Sequence, residues 1–453
     1  MAETMKTNNI FKGIAAVSAL LLGFVSCEQM DYPDRFKLTE GKPVIDYIRY
    51  ANKDILLEQA YMDETICIVG QNLTSICEIF FNDQPATLNT SYITDKTLLV
   101  SIPKNQATKI TDKIYFISSS ADTVTYGFHV MPPSPVARAM DCEYAKPGTD
   151  AHIYGDYFID LEYIEFQGID ARVEAKDLTY NESEISFTVP AGATPGLVKV
   201  KTNSGLSGSM FHYMDQRGLL FDFDGKTGLY APDNRGWHPQ KVLSDDTSIS
   251  GNYLQLGDGA TEMKGDGSVW ADGVFSFEYW PGAWESPVET FSNPIGRKLS
   301  DFADFSNYAN MAYKFELFIP ADRPWKGGAL QIIPASIYTV HNGSSKGDVT
   351  DVEGKVLPGC NNLYIGDNGS KYPRALYTPW ADGMVDTGGK WITVTIPMST
   401  ILYQANGALT EGEPVNATSF DSLVLFLNGS GGLTGEDCYP ILKIDNIRAV
   451  PIK

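Results

Sequence analysis

No tryptophan precedes Trp237, and all seven of the chain fall at or after that position. Histidine is scarce, with five in 453 residues. His129, His152 and His212 stand singly in strand-like runs, which reads as packed or surface histidine. No HExxH pattern occurs, so zinc-hydrolase chemistry of that type is excluded. Six cysteines are present without a C-x-x-C spacing, so neither a zinc knuckle nor a dithiol redox centre is indicated. Apart from Cys27, five remain, an odd number that cannot all pair within the chain. Disulfides Cys67–Cys77 or Cys360–Cys438 and buried free thiols both stay open. Positive charge is in deficit: 35 Lys and Arg against 56 Asp and Glu give a net charge of −21. That field repels phosphate backbones and argues against nucleic acid as a partner, while it suits a neutral ligand. Long helical periodicity is also missing. With Gly 41 and Pro 25 between short alternating runs, the chain reads as all-β.

Nucleophile motifs are equally thin. Gly343-Ser344-Ser345-Lys346-Gly347 formally fits G-x-S-x-G, but it sits in a polar loop rather than between a buried strand and a helix. Gly225-Lys226-Thr227 lacks the upstream glycine of a phosphate loop. Glycoside hydrolysis needs only two carboxylates, and Glu285 with Glu289 is a pair of that kind beside Trp284. Among 56 acids such a coincidence is cheap, and the sequence points away from an enzyme.

What the chain does have is the stretch Val274–Trp284, VFSFEYWPGAW. Phe275, Phe277 and Tyr279 alternate with Ser276, Glu278 and Trp280, which is a strand with an aromatic face. Pro281-Gly282 breaks it into a loop carrying Trp284. A tryptophan in a β-sandwich is more often core than platform, but seven exceed what one core needs. Two or three are therefore expected at the surface.

The chain begins with a targeting segment, Met1–Ser26. Lys6 and Lys12 precede an apolar run, Ile14–Val25, of signal-peptide length and too short for a comfortable membrane span. Phe24-Val25-Ser26-Cys27 resembles the lipobox of bacterial lipoproteins, with Phe24 in place of the usual Leu. The resemblance implies cleavage before Cys27 and its acylation, a stable membrane anchor. Glu28, Asp31 and Asp34 resemble the export signal of surface lipoproteins in the Bacteroidota. Residues 27–42 read as a tether.

The next part repeats at about 85 residues. Thr65–Leu73 (TICIVGQNL) matches Asp150–Phe158 (DAHIYGDYF), Ile79–Asp83 matches Ile164–Gly168, and Leu98–Pro103 matches Ile185–Pro190. Short alternating runs of this kind build small sandwiches. With Pro195–Gly205 (PGLVKVKTNSG) in the second unit, the pattern resembles the IPT/TIG immunoglobulin-like fold. It places one domain at 43–131 and another at 132–216, joined through the semi-rigid MPPSPV, 131–136.

From 217 to 453 the composition shifts to Trp, Tyr, Gly and Asp, and one larger sandwich fits. It opens Leu220-Phe221-Asp222-Phe223-Asp224 and closes Lys443-Ile444-Asp445-Asn446-Ile447. These ends resemble the jelly rolls of carbohydrate-binding modules, in which first and last strands pair and share a structural Ca²⁺. The resemblance implies Asp222, Asp224 and Asp445 as possible ligands; turn acids without a metal are the alternative. Met311–Pro320, Trp391–Pro397 and Leu423–Leu427 read as buried strands, with Trp391 in the core. The loops between are long, which marks function or disorder, and several carry a ring: Trp237, Trp325, Tyr372, Tyr377 and Trp380.

The order of parts (lipidated Cys27, tether, two IPT/TIG-like domains, aromatic-rich terminal sandwich) resembles the surface glycan-binding lipoproteins of Bacteroidota polysaccharide-utilisation systems. What this implies is capture of a plant-type β-glucan, xyloglucan or β-mannan at the outer membrane without cleavage. The polysaccharide would pass to a TonB-dependent transporter and its companion surface lipoprotein. The candidate binding rings are Trp237, Tyr279, Trp280, Trp284, Trp325 and Trp380, and no cofactor is required beyond the possible Ca²⁺. An endo-acting glycosidase and a protein-binding adhesin are the alternatives.

Overall fold

The computed structural model describes residues 36–229, 241–279, 297–336, 372–429 and 431–452, together with the short strands Val349–Thr350 and Val356–Leu357. The chain divides into two compact units, the first ending at Pro133 and the second starting at Ser134.

The first unit is a small sandwich. Strands Val44–Tyr50, Thr65–Gln71 and Thr97–Ser101 make one sheet, and a four-stranded sheet runs through Gln84–Ala86, Ile76–Phe81, Lys113–Ser118 and Thr123–Gly127. Alternation along each strand turns Ile66, Ile68, Leu98, Val100, Ile114 and Phe116 into one core, as a period of two requires.

The second repeat builds the same object. Strands Val136–Met140, Asp150–Asp156 and Glu184–Thr188 pair in the same order as their counterparts. Even the irregularity is copied: the register slips between Ile45 and Tyr47 in one repeat and between Ala137 and Ala139 in the other. The glycine shared by both, Gly70 and Gly155, follows from this. A Cβ on Gly70 would run into the carbonyl oxygen of Val44, and one on Gly155 into that of Val136. Only a hydrogen lets the bulged first strand approach so closely.

The sandwich from 217 onward packs two sheets around its own core. One sheet orders Val242–Leu243, Tyr253–Leu256, Leu442–Pro451, Met311–Phe318 and Ile392–Pro397, with Leu219–Phe221 also pairing to Leu442–Pro451. First and last strands thus pair as the jelly-roll likeness implied, Leu219 opposite Arg448 and Phe221 opposite Ile447. The other sheet orders Ser276–Tyr279, Ser422–Asn428, Ala329–Ala335 and Ala375–Tyr377. Strand Ser422–Asn428 is buried along its whole length.

The second repeat and this sandwich keep separate hydrophobic cores but belong to one unit. Charge ties them together. Arg448 and Glu316, both 0% exposed, form a two-pronged ion pair at 2.9 and 3.0 Å. Nη2, which already binds one Glu316 oxygen, also donates to Glu143 of the second repeat at 2.7 Å. Lys314 binds the second Glu143 oxygen, so two cations face two anions. Burial lifts the Glu316 carboxyl to about 7, with Glu143 adding repulsion and Arg448 opposing both. Around the quartet, Thr393 N–H donates to the Asp141 carbonyl and Glu143 N–H to the Thr393 hydroxyl, both at 2.7 Å.

Removing one partner from such a group leaves a buried charge uncompensated, which costs about 3–5 kcal/mol. Glu143→Ala is therefore expected to lower the melting temperature of the second unit by roughly 5–10 °C. Scanning calorimetry should then resolve the second repeat from the terminal sandwich. A single unshifted transition would show that the quartet does not hold the joint.

Candidate functional site

The four-stranded sheet of the terminal sandwich has two unlike ends. Its antiparallel register sets Tyr279 and Pro334 opposite Leu423, Ala335 opposite Ser422, and Ala375 opposite Ile332. The exit of Ser276–Tyr279, the entry of Ser422–Asn428, the exit of Ala329–Ala335 and the entry of Ala375–Tyr377 therefore share one end. A cavity of about 470 Å³ opens there, lined by Pro334, Ser336, Tyr372, Pro373, Glu411, Glu413, Asn416, Thr418 and Ser419.

Its walls are fixed from behind. Arg374, 0% exposed, donates to the Gln331 side chain at 2.6 Å and to the Tyr372 carbonyl at 3.4 Å. This anchors the backbone that carries the Tyr372 ring. The loop 411–419 closes on itself, its Asn416 side chain accepting from the N–H and hydroxyl of Thr418 at 2.9 and 2.7 Å. Tyr308 donates to the Val415 carbonyl at 2.9 Å, and Phe420 stacks on Phe305 at 4.8 Å. One half-buried ring, two exposed carboxylates and several hydroxyls then face a shared space. Such a set can meet hydroxyls with its polar groups and a C–H face with its ring. Glu411 and Glu413 were not among the residues expected from sequence. Nothing in the polar run TEGEPVNATS separates a binding loop from an ordinary turn.

The opposite end is filled. Trp325 is 0% exposed, and its ring N–H is shared between the carbonyls of Gly327 and Gly328 at 2.8 and 3.2 Å. Trp380 is half-buried against the core and donates to the Gly328 carbonyl at 2.7 Å. Both were expected as binding platforms. Trp325 is core; Trp380 keeps part of its ring open, with its one donor used on the backbone to fix the ring in place. Tyr279 is corrected too: it is 2% exposed, with its ring 5.2 Å from Phe221 and its hydroxyl on the Arg297 carbonyl at 2.7 Å. Glu278 is likewise buried, and Lys326 is taken up by Glu436 at 2.9 Å. Trp237, Trp280 and Trp284 lie outside the described residues, as do Cys27, Glu285, Glu289 and the Gly343–Gly347 motif. Trp270, not expected, is 44% exposed with its ring edge against Phe426.

Of the three acids implied as calcium ligands, Asp224 and Asp445 accept from protein donors, and Asp222 keeps one buried oxygen, Oδ1, without a hydrogen-bond partner. Asp222 is 1% exposed, with Lys226 at 3.9 Å. Asp224 accepts the Asn252 N–H and side-chain amide at 2.8 and 3.0 Å. Asp445 accepts from the Ser250 hydroxyl at 2.8 Å. Burial pushes its carboxyl up to about 8, with repulsion from Glu316 and Asp224 adding to that and hydrogen bonds from Ser250 and the Asn446 N–H opposing it. Among the described residues no group of three His, Cys, Asp or Glu is placed to hold a metal. Cys67, Cys77, Cys142 and Cys438 are free thiols, so the Cys67–Cys77 disulfide does not form; Cys360 lies outside the described residues.

The family model for the surface glycan-binding protein B xyloglucan binding domain matches residues 213–451. The chain belongs to the surface glycan-binding protein B family. The solved surface glycan-binding protein PbSGBP-B from Prevotella bryantii is 41% identical, with a TM-score of 0.72, over 92% of this chain and 100% of that one. SGBP-B from a complex xyloglucan utilization locus in Bacteroides uniformis covers 91% of this chain and 100% of its own, at 15% identity and a TM-score of 0.36. An IPT/TIG domain-containing protein of Bacteroides ovatus is 25% identical over 190 residues, 38% of this chain and only 37% of that relative's length. Surface glycan binding, the all-β fold and the immunoglobulin-like repeats expected from sequence stand. As a member of this family, the protein acts at the cell surface, and its matched residues are the terminal sandwich that carries the cavity.

The raised carboxyls fix the direction of a pH effect. Between the ordinary aspartate value and about 8, the unfolded chain has released the Asp445 proton while the folded chain retains it. Unfolding then releases a proton, so stability falls as pH rises through that window; Glu316 acts in the same direction up to about 7. The depressed carboxyls of Asp215 and Asp258 lose their contribution only at more acid pH. The melting temperature is expected to be higher at pH 5 than at pH 8.5, by several degrees. Asp445→Asn should shrink that difference, and an equal difference in the variant would rule Asp445 out as its source.

Proposed function

We propose that this protein captures a neutral plant β-glucan of the xyloglucan type at the outer-membrane surface and holds it, uncleaved, for uptake. The observation that carries the reading is the gathering of four strand ends and the Tyr372–Glu411–Glu413 cavity at one end of the sheet in the family-matched sandwich. Trp280 and Trp284 follow directly in sequence on the strand that exits there, and they are the proposed stacking platforms; Trp237 remains a third candidate. A flat ring covering about 80 Å² of a pyranose face contributes roughly 2 kcal/mol at about 25 cal/mol per Å². Two or three such contacts, less the cost of ordering the chain, give binding in the micromolar to millimolar range. The excess of acid, −21 overall, works against uronic-acid polymers and leaves neutral ones unaffected.

Anchoring through acylated Cys27 and delivery to a TonB-dependent transporter with its companion lipoprotein complete the proposal. The order of lipobox-like segment, tether and repeats supports both.

Affinity electrophoresis of the protein in gels containing xyloglucan, mixed-linkage glucan or galactomannan tests the reading. Retardation by xyloglucan is expected, with no reducing ends released during incubation. Trp284→Ala should weaken it at least tenfold, the fold-change equivalent of about 1.4 kcal/mol. Retardation in none of the gels would overturn the proposal, and reducing ends would return the glycosidase reading.

A further inference from the structure

A second cavity, about 440 Å³, lies at the joint between the second repeat and the terminal sandwich and shares no lining residue with the first. Its volume falls within the range of small-ligand pockets. The half-buried Trp391 forms part of its wall. That ring is held in place from behind: its N–H donates to the Thr247 carbonyl at 2.6 Å, and its plane meets Tyr253 at 6.1 Å and Phe318 at 5.6 Å. A ring whose donor is already spent on the backbone cannot swing away, and the part of it left open to the cavity is a rigid apolar surface. Ordering it on binding therefore costs little.

Polar groups face the same space from both bodies. Asp150 and Thr149 come from the repeat, and Asp246 and Lys390 from the sandwich. Lys390 is exposed and has no carboxylate within ion-pair distance among the described residues. Asp150 uses one carboxylate oxygen to accept from Thr188 at 3.0 Å. A smaller cavity of about 300 Å³ shares Asp150 and Lys390 with this joint cavity and continues over the repeat past His152, Thr179 and Ser186. The result is a groove with one fixed ring, donors and acceptors in mixture, and an excess of carboxylates. An anionic ligand is repelled, and a lone cation has no matched set of ligands. A neutral, hydroxyl-rich chain with an apolar face satisfies all three features.

We propose that this joint groove is a second carbohydrate subsite, which takes a neutral oligosaccharide stretch against Trp391, with Asp150 and Lys390 meeting its hydroxyls. It stands apart from the sheet-end site and does not depend on it.

The test is ¹⁹F NMR of the whole protein carrying 5-fluorotryptophan, titrated with xyloglucan heptasaccharide and, separately, with cellohexaose. Trp391→Phe assigns the Trp391 resonance among the seven. The Trp391 signal is expected to shift and to saturate at millimolar sugar. Asp150→Ala combined with Lys390→Ala, both at exposed positions, should weaken that shift at least fivefold while the other tryptophan signals titrate as before. A Trp391 signal that stays put to 10 mM of either sugar (roughly the weak limit expected of such sites) while other tryptophans move overturns this subsite and leaves the sheet-end reading intact. Movement of Trp391 alone supports the subsite and overturns the sheet-end reading. Movement driven only by a basic hexapeptide control, and by neither sugar, would identify a cation groove and also overturn it.

Discussion

Arg448 sits in the last strand with a full charge and no access to water, and much of the second unit is arranged to keep it there. A buried guanidinium is tolerable only with its charge answered and its donors largely bonded; here both Nη atoms of Arg448 are bonded and its Nε is left without a partner. Glu316 meets it from the neighbouring strand, and Glu143 reaches it from another domain, 305 residues away in sequence. The second acid is what matters for architecture. Glu316 alone would satisfy one charge within the sandwich. By adding Glu143, and Lys314 to balance it, the fold converts a local ion pair into a joint. The Tyr144 ring over the guanidinium at 4.9 Å seals the same spot against water. Attraction at low effective dielectric then acts across the domain boundary rather than inside one domain.

This joint explains why two bodies with separate cores form one compact unit. A groove lined from both sides, like the one at Trp391, exists only if the two sides keep their spacing.

How much of this was legible in the sequence depended on whether a residue's partner was local. The repeats were legible because a sandwich needs strands at fixed spacing, and Gly70 and Gly155 were visible as a matched pair before the carbonyls of Val44 and Val136 explained them. Pairing of the first and last strands also followed from their sequence likeness. The rings were misassigned for a physical reason. Alternation tells which side chains share a face but not what covers that face, so Tyr279 gave no sign that Phe221 would cover it. A loop tryptophan just ahead of two glycines looks exposed, yet at Trp325 those glycines bring their own carbonyls to the indole N–H. The quartet was not read from the sequence: Lys314 and Glu316 stand in a run read as a buried strand, Arg448 in the closing strand and Glu143 in the second repeat, and only the folded chain brings them together.

The weakness of single carbohydrate contacts gives the rigid joint its meaning. A polysaccharide presents the same unit many times, so two modest sites on one body can engage one chain. The second engagement is then intramolecular, at an effective concentration set by how well the spacing of the sites is held. A flexible joint would spread that spacing and dilute the gain; a buried ion quartet fixes it with no added contact to the ligand. The rise of Glu316 to about 7 and of Asp445 to about 8 is the consequence of keeping carboxyls in so dry a place. That cost makes sense if the geometry it secures is used, and a ligand that bridges repeat and sandwich is the use the structure offers.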